Sequence, residues 1–510
     1  MNNINKYESL VAGQKTRQRL KQLAPGLSQG LMNWVILLLL VAFGHASCKK
    51  LVQIAPPVSS ITTTETFADS SDANSAILGI YSKILSQSSG GLLFGNGTIT
   101  FYAGLSADEL IPYNNSGSQT QLYSNTLNAT SGITDPIWSQ AYSYIYQTNA
   151  SLEALKASTG LSPSAQSQFI GEVEFLRALC YFYLINLYGD VPYITSSNYQ
   201  VNAITTKTPK SQIYQQMVAD LKDAQTALRS DYSISNNQRT RANKWAATAL
   251  LARIYLYMGD YTDAETQATS VITNSAAYGL SSLDTVFLAN NSEAILQWQL
   301  NTAFLTYNMT PEGFCNLPSR PTSPPSLFYI SSQLLNSFEI GDRRRITWID
   351  SSIFSGTTYY YSYKYKIGRS NYAINGTPIE YYMVLRLGEQ YLIRAEARAQ
   401  QSTNFAGAIS DSGAISDLNS IRNRAGLTPL SSSLSPAQVL AAVAQERKVE
   451  LFAEWGHRWL DLKRTGAVDS VMSIITPQKG GQVWNTNQQL YPIPLSELGG
   501  DPNLVQSPGY

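Results

Sequence analysis

The stretch 446-ERKVELFAEWGHRWLDLKRTG-466 holds the densest group of ionisable side chains in the sequence. Two kinds of chemistry fit it. Glu454, His457 and Asp461 have the residue types of an acid/base cluster, in which carboxylate and imidazole exchange a proton. Glu450, Glu454 and Arg458 also recur at i, i+4 spacing on one helical face, with Glu preceding Arg in the favourable order. With Asp461 they make a partly buried ion network that pins helices together, and structural networks of this kind perturb charges as active sites do. The pattern favours the network, with Arg386, Arg394, Glu396 and Arg422 as further members.

Other constellations are sparse. The chain has 2 histidines. One, His45, lies in a leader segment, which leaves His457. That removes His-pair zinc sites and gives a Ser-His-Asp triad a single candidate. Downstream of the leader there is no G-x-S-x-G, H-E-x-x-H or G-x-x-x-x-G-K-[ST]. The stretch 95-GNG-97 lacks the third glycine of a dinucleotide loop. No metal ligand, cofactor or catalytic residue is assigned. Two carboxylates far apart in sequence can still flank a glycosidic bond, so a surface glycoside hydrolase stands as the alternative to a binding protein. A non-transport adhesin or scaffold is the third reading.

The leader reads 35-VILLLLVAFGHASCKK-50. Its apolar run, Leu31 to Gly44, is shorter than the roughly 20 residues a bilayer span needs. It suits the h-region of a secretory signal, with Lys6, Lys15, Arg17, Arg19 and Lys21 as the basic n-region. Met1 and Met32 both remain as start sites. Ala46 and Ser47 before Cys48 resemble a bacterial lipobox, although His45 stands where Leu, Val or Ile is commoner. The expectation is a signal peptide over 1–47 and a lipid on Cys48; an ordinary cleaved signal with a chance cysteine is the bland reading. Each buried lipid CH₂ contributes about 0.8 kcal/mol, and two chains hold a protein where one barely does.

The 510 residues carry a net charge of +1, and only 14% are charged. No long-range field draws such a chain to nucleic acid or acidic polymers. Its 32 tyrosines each offer an apolar face and a polar tip, which suits neutral hydroxylated ligands. Cys180 sits in 175-FLRALCYFYL-184 as a small core hydrophobe and Cys315 in a loop-like stretch; a bond between them stays open.

Periodicity supplies the scaffold. Ile77, Ile80, Tyr81, Ile84 and Leu85 mark a helix. Phe169, Val173, Leu176, Cys180, Tyr183 and Leu187 form one face of a long one that ends at Gly189. Residues 242–272 hold two helices broken at Gly259-Asp260, with small alanines at the contact, the grammar of a tetratricopeptide hairpin. A third pair runs through 388–400 and 414–427, interrupted by the repeat 407-GAISDSGAISDL-418; one copy is expected in a loop or exposed. Residues 293–300 read as a strand and 311–326 as a Pro-rich loop. In 357-TTYYYSYKYK-366 Tyr359, Tyr361, Tyr363 and Tyr365 share one strand face, with Tyr360, Ser362, Lys364 and Lys366 on the other. The fold class is therefore mainly α: a tetratricopeptide-like helical hairpin scaffold with a loop-rich ligand face and a few short strands.

An ordered set of segments resembles the SusD/RagB-like family of Bacteroidota surface lipoproteins. They are 48-CKKLVQIAPP-57, 172-EVEFLRALCYFYLINLYGDVPY-193, the 242–272 hairpin, 385-LRLGEQYLIRAEARA-399, 417-DLNSIRNRAGL-427, 446–464 and 490-LYPIPLSELGGDPNLVQSPGY-510. The resemblance implies a tether over 48–64, an N-terminal region over 65–235 and a C-terminal region over 236–510, with a loop and strand insert at about 280–385. It implies a non-enzymatic, outer-membrane protein, lipid-anchored and facing outward, that captures glycans or peptides. It would pass them to a SusC-like TonB-dependent barrel. Lys49 and Lys50 follow Cys48, where acidic residues often accompany surface export. The resemblance also places the ligand site in 101–125 and 304–314. Within them Tyr102, Tyr113, Tyr123 and Tyr307 are the expected stacking rings, and Asp108, Asn114 and Asn115 the expected hydrogen-bonding groups.

Overall fold

Alternating helices, each with its own start and stop signal, build most of the chain. A computed structural model describes residues 66–85, 94–114, 117–299, 307–324, 326–401 and 413–510. The leader, Cys48, the tether, Asn115 and the first copy of the 407–418 repeat lie outside the described residues; the second copy opens a helix and buries Ile415.

The helices of eight or more residues are α1 (Ser70–Leu85), α2 (Ile99–Ser106), α3 (Asp135–Ala157), α4 (Pro163–Tyr188), α5 (Lys210–Ala227) and α6 (Lys244–Met258). They continue as α7 (Tyr261–Ile272), α8 (Leu387–Gln401), α9 (Ala414–Arg424), α10 (Pro436–Glu450), α11 (His457–Arg464) and α12 (Val468–Gln478). From α3 to α9 each packs on the next, and α10 also lies on α8. This is the serial stacking of hairpins that the 242–272 pattern predicts.

The caps are local chemistry. The Ser162 hydroxyl accepts from the Ala165 amide with Pro163 in the first turn, Asn243 accepts from Ala246, and Ser435 with Gln438 makes a full capping box. Gly259 takes φ +78° after α6, the left-handed conformation that costs glycine least. Helix α4 is buried on nearly all sides rather than on one face, because α3 and α5 flank it. Its Arg177 is therefore internal, and it pays for burial with Asp220 (2.7 and 2.8 Å) and Asn149 (2.8 Å).

The strands are short: β1 (Leu110–Pro112), β2 (Val191–Pro192), β3 (Lys207–Thr208), β4 (Ala294–Trp298), β5 (Phe328–Ile330), β6 (Ile349–Phe354), β7 (Thr357–Ser362) and β8 (Tyr382–Arg386). They pair antiparallel as β1–β5, β2–β3, β4–β8 and β6–β7. Two expectations change here. Within the Pro-rich stretch, Pro311–Asn316 is a short helix, started by the Thr310 hydroxyl accepting from the Gly313 amide. The 357–366 strand stops at Ser362, and Lys364 turns inward. Cys180 and Cys315 are both buried and free.

The single helical face expected for Glu450, Glu454 and Arg458 is broken. Helix α10 ends at Glu450, and Ala453, Trp455 and Gly456 take φ +50°, +47° and +70°. Left-handed backbone at two side-chain-bearing residues is strained. Three anchors hold it. The Trp455 amide donates to Thr100 Oγ1 (2.9 Å), its indole donates to the Met383 carbonyl (2.8 Å), and its ring stacks on Tyr183. At Gly456 a Cβ would stand 2.5 Å from that of Ala103.

The break lets Glu450 and Glu454 enter one buried network. Glu450 accepts from Arg344 (2.9 Å), Arg386 (2.6 Å) and Arg424. Arg386 also reaches Glu293 and Glu454; Lys364 joins Glu454 and donates to the Glu450 and Phe452 carbonyls. Burial opposes charge at Glu450, but Arg424, Arg386 and Arg344 hold its carboxyl well below the ordinary range. Arg422 enters through Glu446, whereas Arg394 shares Asp417 with Arg398 in a separate cluster. Removing one partner of such a pair leaves the other charge buried and alone, at a cost of about 3–5 kcal/mol. Arg386→Met is expected to lower the stability of the protein by that order, read as a drop in the urea midpoint relative to wild type.

Candidate functional site

Residues 94–123 are built so that little of their first part can face a ligand. A π-helical turn over Phe94–Thr98 leads into α2, every residue of which is buried. Tyr102 is thus a core ring; burial, then the nearby Cys315, raises its phenol to about 12. It presents no stacking face, contrary to expectation. Asp108 is also internal. Its carboxylate takes Arg458 (2.7 and 3.0 Å) and Lys448 (3.0 Å). Burial would raise it, and those two cations hold it below the usual carboxylate range. Buried and held by three charge-assisted donors, this acid is not open to a sugar hydroxyl.

Beyond Asp108 the chain surfaces as β1, which pairs Ile111 with Tyr329 of β5. The Tyr113 amide donates to the Leu327 carbonyl (2.8 Å), and the Leu327 amide to the Cys315 carbonyl (2.9 Å). Strand β5 lies against β7. These connections gather three half-buried rings: Tyr113 stands edge-on to Tyr359 (5.6 Å), and Tyr359 edge-on to Tyr329 (5.2 Å). Tyr123, also half-buried, lies beside Tyr329 and raises its phenol after burial has done so. Lys479 sits over the Tyr123 ring at 5.1 Å. Asn114 is exposed next to Tyr113. A ledge of tyrosines with mixed orientations offers apolar faces and hydroxyl tips together, the combination a polyol needs.

Tyr307 stands elsewhere in the sequence and is open to solvent. It packs edge-on to the equally exposed Tyr372 (4.7 Å) and forms a bridge with Ile374. Asn308 Oδ1 accepts from the Ala373 amide (2.7 Å) and ties the two segments together. Sequence reasoning missed Tyr329 and Tyr372 and read Tyr359 as a strand face only. The signal for Tyr329 was 328-FYI-330, one polar-tipped ring between two apolar residues.

The acid/base reading of Glu454, His457 and Asp461 finds no free proton carrier. Glu454 is taken by Lys364 and Arg386. Asp461 accepts from Arg447 (2.7 Å) and Arg464 (2.8 Å). His457 is buried, and burial lowers its imidazole to about 4 against the pull of Glu389, so it is neutral near pH 7. Arg458 pairs with Asp108 instead of Glu454, because the turn at 451–456 separates the two. Among the described residues no group of three His, Cys, Asp or Glu is placed to hold a metal ion.

Two carboxyls beneath the face are unusual. Glu312 is buried and neither oxygen meets a donor at hydrogen-bonding geometry; burial pushes it up to about 8. Glu109, between Asp108 and β1, is also raised to about 8 by burial and by Asp108. Both favour the neutral acid near pH 7.

Comparison with known proteins follows the same outline. Residues 344–510 match the family described as SusD family, and residues 97–256 the one described as starch-binding associating with outer membrane. A SusD-like protein of Formosa agariphila is 27% identical over 93% of this chain and 98% of its own length. The starch-binding protein SusD of Bacteroides thetaiotaomicron is 24% identical over 70% of this chain and 75% of its own. Among solved structures, a laminarin-binding SusD-like protein superposes with a TM-score of 0.67 at 25% identity, covering 86% of this chain and 99% of that one. A SusD superfamily protein of Parabacteroides distasonis gives 0.72 at 23% identity over 88% of this chain and all of that one.

The buried Glu312 carboxyl makes stability fall with rising pH. Its folded pKa, about 8, lies above the ordinary 4.5, so the unfolded chain ionises first. The contribution of Glu312 to stability is full below pH 4.5 and falls as pH rises towards 8. Glu312→Gln removes that slope. The difference in melting temperature, variant minus wild type, is expected to grow from pH 5 to pH 8; a constant difference would show that the buried acid is already ionised.

Proposed function

The chain belongs to the SusD/RagB family, whose members bind ligands and do not catalyse, and from that premise we infer a surface glycan receptor that feeds an import pore. Glycan binding is common to the starch- and laminarin-binding relatives. The ledge of Tyr113, Tyr329 and Tyr359, with Tyr123 and the exposed Asn114 beside it, is the observation that carries the reading for this chain. Rings stack on sugar faces and phenol or amide groups orient hydroxyls. Tyr307 and Tyr372 add a second, more open contact. Tyr102 and Asp108 support the ledge from below rather than touching ligand.

The anchor belongs to the same proposal. Cys48 carries the lipid, the segment after it is the tether, and the protein faces outward on the outer membrane beside a SusC-like TonB-dependent barrel that takes the glycan on. The lipobox grammar around Cys48 and the outer-membrane association of the family matched at 97–256 support this.

Two experiments test it. In affinity gels containing laminarin or starch, wild type is expected to be retarded by one of them. Tyr113→Ala and Tyr359→Ala should each weaken binding about tenfold, since a well-stacked ring is worth about 1.4 kcal/mol. Unchanged retardation in the double variant would move the site off the ledge. In cells, Cys48→Ala should abolish incorporation of labelled palmitate and shift the protein out of the membrane fraction; unchanged labelling would refute the anchor.

A further inference from the structure

The 446–466 cluster holds more positive charge than the structure neutralises. A groove of about 270 Å³ runs between α10 and α11 and is lined by Arg447, Lys448, Arg458, Arg464, Glu396 and Asp461. The four cations share three carboxylates. Arg464 uses Glu396 with both η nitrogens (2.5 and 2.7 Å) and Asp461 with Nε. Arg458 and Lys448 divide Asp108 between them. Arg447 gives Nε to Asp461 at 2.7 Å. Its two η nitrogens are buried and have no hydrogen-bond partner.

The remaining neighbours do not close the account. Glu389, which also acts on Arg447 electrostatically, already clasps Arg253 with both oxygens (2.6 Å each). His457 is neutral and adds no charge of either sign. The Tyr257 hydroxyl, close enough to feel Arg447, Arg464 and Asp461, is buried without a partner as well. A buried guanidinium with one edge idle is rare in folded proteins. Water would satisfy its hydrogens, but only an anion also supplies the missing charge. The two η nitrogens form the fork that grips a planar or tetrahedral oxyanion through parallel hydrogen bonds.

We propose that this groove is an anion site, in which Arg447 holds one small oxyanion, a carboxylate, phosphate or sulfate, with Lys448 and Arg458 at its rim. The occupant is either a free inorganic ion or the acid group of a sugar. The site is separate from the tyrosine ledge and does not rest on the glycan reading.

The test is calorimetric titration of the purified protein with millimolar phosphate and with D-glucuronate, in chloride buffer of constant ionic strength. Saturable binding of one or both is expected. Phosphate alone would assign the groove to an inorganic ion, and glucuronate alone to a sugar acid. Ala444, one turn before Arg447 on α10, lines the groove and is exposed. Ala444→Glu places a tethered carboxylate in it. That variant should lose at least tenfold in anion affinity and melt at a higher temperature than wild type without added anion. Arg447→Met should lose the same affinity; if it fails to fold, Ala444→Glu still decides. Absence of saturable binding in wild type, or undiminished binding in Ala444→Glu, would overturn the proposal.

Discussion

Three arginines converging on the Glu450 carboxylate are the constraint around which the rest of the structure is arranged. Each guanidinium has left water, and each would be costly alone. Their satisfaction requires five distant pieces of chain in one place: the segment before β4, the Asp342–Arg344 turn, the end of β8, the last turn of α9 and the end of α10. Hydrophobic burial sets how much the helices gain by stacking, but it is indifferent to register. The charges are not, because a guanidinium displaced by one residue meets no oxygen. The network therefore acts as the registration of the C-terminal helices on the strands.

The tyrosine ledge takes part of its position from that registration. Strand β7 carries Tyr359 and, two residues past its end, Lys364 turns in to the Glu450 and Phe452 carbonyls and to Glu454. The Lys364 ammonium also lies over the Phe452 ring at 4.0 Å. On the other side, Asp108 is pinned by Arg458 and Lys448 just before β1 delivers Tyr113. The two edges of the ledge are thus tied to two sets of buried charges, one at Glu450 and Glu454 and the other at Asp108. Pre-organisation of this kind limits the entropy lost when a ring meets a sugar. The surface itself stays low in charge, in keeping with the 14% charged composition.

Legibility in the sequence followed the range of the forces involved. Helices α1, α4, α6 and α7 were readable because their apolar periods, and the glycine stops of α4 and α6, are local. The turn at 451–456 was not, since Ala453 and Trp455 have no local reason to adopt positive φ; the reasons are Thr100, Met383 and Tyr183, far away in the chain. The inward course of Lys364 was hidden for the same cause: alternation of period two predicts a face, and a partner 90 residues on overrode it. Tyr102 and Tyr113 look alike in sequence. What separates them is that α2 is covered on all sides while the chain comes to the surface just past β1, at Tyr113 and Asn114. The ion network was visible as a composition, but the pairing of Arg458 with Asp108 was not, being 350 residues apart.

That long reach has a bearing on how the protein is made. A ribosome delivers Arg344, Arg386 and Arg424 well before it delivers Glu446, Glu450 and Glu454, and the C-terminal Lys479 closes on carbonyls of Leu105, Ser106 and Ala107 later still. Until the final stretch emerges, Arg344 has only Asp342, and Arg386 and Arg424 have only Glu293, to share among them. The network stays unfinished, and contacts of such high sequence separation form slowly even then. Delayed closure of this kind keeps the polypeptide pliable until its last segment has arrived.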